Sequence, residues 1–141
     1  MEELQIATRK KREVVDITDR VADAVKETAG QDGLIHLFLL HTTVALTIAD
    51  LDPGTDQDLL DALAELIPKL HYRHPHDPEH VPDDILSSLI GTSLTVPMAA
   101  GQLVLGTRQR IVLIELRESL PNSACANASA TGSNNADGIA R

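Results

Sequence analysis

The chain has 141 residues, enough for one domain with a real core, and 43% of them are apolar. With one Phe, one Tyr and no Trp, that core must be built from Leu, Ile, Val and Ala, and aromatic platforms for stacking nucleic-acid bases are missing. A formal charge of −9 sets a phosphate backbone against net repulsion, the lone Cys125 excludes an intrachain disulfide framework, and the charged N-terminus with no membrane-length apolar run points to a cytoplasmic protein that uses neither nucleic acid nor membrane.

Residues 4–8 and 13–15 read as two short strands around the cationic turn Arg9-Lys10-Lys11-Arg12. That turn is a solvated loop or, alternatively, a docking point for a small phosphorylated ligand. Asp16-Ile17-Thr18-Asp19 supplies cap oxygens, and Ile17, Val21, Ala24 and Val25 then recur at helical spacing until Gly30. LIHLFLL (34–40) is apolar on both faces, as expected of a strand covered on each side, with His36 simply packed and hydrogen-bonded inside it. His41-Thr42-Thr43 follows where this strand ends and polar side chains gather at a bend, a common place for reactive groups; a histidine capping a turn is the plain alternative. VALTIA (44–49) is the next strand. After the Asp52-Pro53-Gly54 turn, Thr55 and Asp58 resemble a capping box, and Leu59, Leu60, Leu63, Leu66 and Ile67 form one apolar helix face ended by Pro68.

Four of the six histidines (His71, His74, His76, His80) lie between Leu70 and Leu94, interleaved with Asp77, Glu79, Asp83 and Asp84. Neutral imidazole is the commonest side-chain metal ligand, and mixed histidine and carboxylate sets suit zinc, manganese, iron or nickel. In an extended loop His74 and His76 project to one side, and His41 is the natural third ligand. A solvated surface loop has the same composition. Pro75, Pro78 and Pro82 argue for a loop until Asp83 and Asp84 open a short helix, ILSSLI, closed at Gly91. SLTVPM, QLVLG and RIVLIELR read as three consecutive antiparallel strands, with Pro97 at an edge or a bulge. Glu115 shares a face with Ile111 and Leu113 in the last of them; if that face is buried, the carboxylate needs a partner such as a cation or a metal-bound histidine. Gly106-Thr107-Arg108-Gln109 is a hairpin turn or an anion clamp, and Gly91-Thr92-Ser93 invites the same two readings. Residues 1–118 form the expected domain, and 119–141, rich in Asn, Ala, Ser and Gly, read as a disordered tail.

DITDRVADAV, HTTVALTI, DPGTDQDLLDALAELIP, LIGTSLTVP and GQLVLGTRQRIVLIELRE, in that order, resemble the YjbQ family of small proteins, also labelled secondary thiamine-phosphate synthases, over residues 2–118. The resemblance implies a single α+β domain of two packed, mainly antiparallel sheets flanked by two or three helices. It implies a homotrimer, a histidine metal site with zinc as the first choice of divalent ion, and a weak activity joining pyrimidine and thiazole phosphate precursors. His41 matches the family's HTT histidine and His74 its Y-x-H histidine, while Ser93, Thr107, Gln109 and Glu115 match later polar positions. Three departures stand out: Arg108 occupies a usual Trp position, Asp84 or His80 replaces a family histidine, and residues 121–141 do not supply a final strand.

The expected site therefore has His41 and Glu115 in catalysis and His41, His74, His76 and Asp84 on the metal. Thr42, Thr43, Ser93, Thr107, Arg108 and Gln109 would hold a small phosphorylated metabolite. The alternative is a non-catalytic oligomeric module that binds a metal or such a metabolite without turning it over.

Overall fold

Strand β6 (Arg110–Glu115) organises the fold, because from Ile111 to Glu115 every side chain along it is buried, on both faces. The computed structural model describes residues 3–28 and 32–117. In chain order β1 (Glu13–Asp16), α1 (Thr18–Thr28), β2 (Gly33–Phe38), β3 (Val44–Ala49) and α2 (Thr55–Leu66) come first. A single 3₁₀ turn (Pro78–His80), α3 (Val81–Ile90), β4 (Ser93–Ala99), β5 (Gln102–Leu103) and β6 complete the order. The strands form two antiparallel sheets of three, β1-β6-β3 and β2-β4-β5, which is the α+β architecture expected.

Side-chain alternation along β6 divides the core in two. Ile111 and Leu113 point between the sheets, where they meet Ile35 and Leu37 of β2, Val96 and Met98 of β4, and Val21 and Val25 of α1. Val112, Ile114 and Leu116 point the other way and are covered by Leu60 and Leu63 of α2 and Leu86 of α3. The sheet containing β6 is therefore clothed on both faces. The β2-β4-β5 sheet is clothed on one: Leu34, Phe38, Leu40 and Val104 remain exposed, at 54%, 43%, 62% and 51%. This corrects the expectation that LIHLFLL is covered on each side. His36 lies on the same open face, its Nδ1 3.0 Å from the Thr95 hydroxyl.

Several local expectations change for physical reasons. Residues 4–8 are not a strand: Ile6 and Thr8 insert into the core without a ladder partner. The Thr55–Asp58 capping box does not form, because the helix starts from Gly54 at φ 95° and the Thr55 hydroxyl donates instead to Asp50 O (3.1 Å) and Asp52 O (2.6 Å). β4 and β5 form a tight hairpin whose turn residues Ala100 and Gly101 both have positive φ, the geometry that matches strand twist. β6 does not continue that meander. It crosses to the other sheet and pairs with β1 and β3. Pro97 sits in the central strand of its sheet, where the short β5 ladder ends, and its carbonyl accepts from Val104 N at 2.9 Å. The expected tail and the question of a final strand lie outside the described residues.

At the start of α1, burial pushes the Asp16 carboxyl up. The Thr18 hydroxyl (2.6 Å), the Thr18 N–H (2.9 Å) and the Arg110 guanidinium (2.7 Å) outweigh it and hold the group below its ordinary value. A depressed carboxyl stabilises the fold fully above the ordinary Asp value and loses that contribution as pH falls through the folded value. Asp16→Asn should therefore narrow the gap to the parent as pH drops below about 4, read from urea midpoints across an acid series. A gap that stays constant down to acid unfolding contradicts this linkage.

Candidate functional site

His41 stands in the bend between β2 and β3, and the surrounding chain pins that bend. Leu39 N donates to Thr92 O (2.8 Å), Leu116 N to Thr43 O (3.2 Å), and Thr43 N to His41 Nδ1 (3.2 Å). Thr43 is buried, so it positions the histidine and is not available to a ligand. α3 lies across the start of β3, where the buried Ser87 hydroxyl donates to Val44 O at 2.7 Å. Arg12 anchors the first turn of that helix through buried Asp83 at 3.4 Å. The histidine loop folds around Asp77: its backbone N–H donates to His74 Nδ1 (3.0 Å), its carboxylate accepts from Glu79 N (3.2 Å), and His80 Nε2 sits 2.6 Å from the same carboxylate.

These elements line an open cavity of about 580 Å³. Phe38 and Leu39 give it an apolar wall; His41, His74, Thr42, Thr92, Ser88 and Asp84 supply polar groups, with Ser87 at its base. Three of the four expected metal positions, His41, His74 and Asp84, thus come together from three separate segments. His76 does not line the cavity and lies edge-on to the His74 ring at 6.2 Å. Of the two candidates to replace a third histidine, Asp84 is at the cavity, whereas His80 is bound to Asp77. His71 turns to a separate cavity of about 550 Å³ with Lys69, Tyr72 and Glu79.

Other expected residues are elsewhere. Glu115 is 1% exposed and is not a cavity group; its carboxylate accepts from the Thr8 hydroxyl at 3.0 Å and from Arg117 N at 3.1 Å. Among the described residues, the partners that meet it are a hydroxyl and a backbone amide and not a cation or a metal-bound imidazole. Ser93, Thr107, Arg108 and Gln109 do not line the cavity either. Arg108 pairs with Asp52 and lies 3.4 Å from Asp50, and Gly106 N donates to Gln109 Oε1 at 2.8 Å, so this segment is a braced turn. Thr92 of the Gly91-Thr92-Ser93 segment does line the cavity, whereas Ser87 and Ser88 carry no expectation from the sequence. Their signal was present: Asp84, Ser87 and Ser88 fall three and four residues apart, on one side of a helix.

The cavity's donor set has the chemistry of a metal centre without its geometry. Among the described residues no three His, Cys, Asp or Glu side chains stand close enough to hold one metal ion. Moreover, the Nδ1 atoms of both cavity histidines are already occupied by backbone N–H donors. Zinc, as implied by the resemblance, does not fit the residues as they are arranged. Among the described residues no helix is long and apolar enough to cross a membrane.

Comparison with known proteins agrees with the fold and its motifs. The family described as UPF0047 protein YjbQ-like matches residues 2–124. A UPF0047 protein of Mycobacterium bovis is 40% identical over 113 residues, spanning 79% of this chain and 86% of its own. The UPF0047 protein YugU of Bacillus subtilis is 34% identical over the same shares of the two chains. A crystal structure from Sulfolobus solfataricus, titled a YbjQ-like protein of unknown function, superposes with a TM-score of 0.84 at 25% identity, covering 94% of this chain and 96% of the other. One from Clostridium acetobutylicum, of the yjbq/upf0047 family, gives 0.81 at 31% identity, covering 93% and 100%. The chain belongs to the UPF0047, or YjbQ-like, family.

Proposed function

We propose that this chain is a cytoplasmic transferase of the thiamine-phosphate synthase kind, joining pyrimidine and thiazole phosphate precursors at the His41 cavity. The observation that carries this reading is the convergence of His41, His74 and Asp84 on one cavity with an apolar wall. Ligand sites are typically such concavities with a few convergent polar groups. A joining reaction that releases phosphate or pyrophosphate develops charge on the departing oxygens. Preorganised N–H and hydroxyl groups stabilise that charge, and the imidazoles and Thr42 and Thr92 are placed to do so. Among the described residues Asp84 is the one carboxylate lining the cavity, and it would accept from an amine or hydroxyl of the precursor. Phe38 and Leu39 would pack against its ring.

The exposed apolar side chains Leu34, Leu40 and Val104 support a homotrimer in which neighbouring copies cover them, with Phe38 left to the cavity. One experiment addresses both points. The purified protein is sedimented, with a mass three times that of the 141-residue chain expected, and then assayed with the two precursors beside His41→Ala. Loss of an imidazole in contact with the reacting groups should lower turnover by about 100-fold or more. Equal product from parent and variant removes the transferase reading, and a single-chain mass removes the trimer.

A second reading is a module that binds a phosphorylated metabolite without turnover. It is favoured by a carboxylate, Asp84, at a position where the resemblance calls for a histidine. Binding of a precursor with no product would establish it.

A further inference from the structure

We propose that in this chain His41 and His74 are fixed Nε2–H donors to the oxyanion of a phosphorylated ligand, and that they do not ligate a metal ion. The inference rests on reading the His41 cavity as the ligand site, and it concerns how that site holds its ligand.

The argument begins with the direction of two hydrogen bonds. Thr43 N donates to His41 Nδ1 at 3.2 Å, and Asp77 N donates to His74 Nδ1 at 3.0 Å. A backbone N–H can only donate, so each Nδ1 must present its lone pair. In a neutral imidazole the proton is then on Nε2, and Nε2–H is what each ring has left to offer. A metal ion needs the opposite arrangement. A ligating histidine turns a lone pair to the metal and donates its other ring N–H to a carboxylate or carbonyl. Metal on Nε2 would force a proton onto Nδ1 in each ring, directly against a backbone N–H. Two rings from different segments carry the same polarity, each set by a residue two or three positions further along its own chain.

An oxyanion needs what these rings provide. His41, His74, Thr42 and Thr92 all line the cavity, and the Nε2–H and hydroxyl groups are the donors these residues have to offer there. Asp84 would repel a bare second anion there. The fitting ligand is therefore a phosphate ester whose other end carries an amine or hydroxyl for that carboxylate. An apolar or aromatic body would lie against Phe38 and Leu39.

Long-range 1H–15N correlation spectra of the intact protein read the tautomer of each ring directly, assigned with His41→Ala and His74→Ala. Both rings should carry the proton on Nε2, and inorganic phosphate should shift both Nε2 signals, whereas zinc should produce no coordination shift at either ring. Phosphate affinity should fall about tenfold in His41→Ala. It should stay within about threefold in His41→Gln, whose amide N–H reaches the Nε2 position but makes a poor metal ligand. A proton on Nδ1 of either ring, zinc shifting both rings, or His41→Gln failing as badly as His41→Ala would each overturn the inference. The outcome is separable from that of the transferase assay. Absence of product while phosphate still moves both rings overturns the transferase and keeps this inference; product formed only with added zinc does the reverse.

Discussion

Asp83→Ala should lower the free energy of unfolding by about 3–5 kcal/mol, a large part of the roughly 5–15 kcal/mol typical of a domain. The side chain of Asp83 is 3% exposed and that of its partner Arg12 is 19% exposed, with 3.4 Å between them. Removing the buried carboxylate takes this counter-charge from a guanidinium that is itself largely desolvated, which costs more than the pair contributed. The pair also ties the segment entering β1 to the first turn of α3, the helix that carries Asp84, Ser87 and Ser88 to the cavity. Urea unfolding should show a lower midpoint at an unchanged slope. The double variant Arg12→Met/Asp83→Leu should lose less than Asp83→Ala alone, since replacing both charges by apolar groups removes the desolvation cost. A single-variant loss below about 1 kcal/mol would mean that solvent reaches the pair far more freely than its burial indicates.

Leu113→Ala should cost about 2–5 kcal/mol, the range for deleting a buried leucine side chain when the surroundings close only partly around the void. Leu113 is 1% exposed, in the central strand of its sheet, and faces the layer shared with the second sheet and α1. β6 pairs with β1 on one side and β3 on the other, so its backbone has little freedom to collapse inward. Thermal and urea unfolding of parent and variant give the number. A change under about 1 kcal/mol would show that the layer between the sheets is loosely packed.

Asp16→Asn, placed at the start of α1, is a smaller effect of a different kind. The group sits partly in solvent, so what it changes is the acid limb of the stability curve and not the plateau.

The sequence alone was informative wherever the physics is local. The 3.6-residue recurrence of Val21, Ala24 and Val25, or of Leu59, Leu60 and Leu63, identifies helices because the period is imposed by the helix itself. VALTIA, and the Ala99-Ala100-Gly101 break between SLTVPM and QLVLG, were legible because strand alternation and turn residues are local too. So were the donors: the histidines and carboxylates of the loop and the His41 bend could be named, and the quoted motifs placed the chain in its family. The tertiary structure decided what depends on partners distant in the chain. LIHLFLL and RIVLIE look alike as apolar runs, yet β2 keeps one face open and β6 is covered on both, because α2 and α3 pack on only one of the two sheets. Glu115 could be foreseen as needing a partner but not as meeting Thr8, which arrives from an unpaired segment. The cavity itself follows the same rule. Composition supplies imidazoles; only the folded backbone decides that an N–H from Thr43 and another from Asp77 reach their Nδ1 atoms, and with that whether the rings face a ligand with a proton or a lone pair.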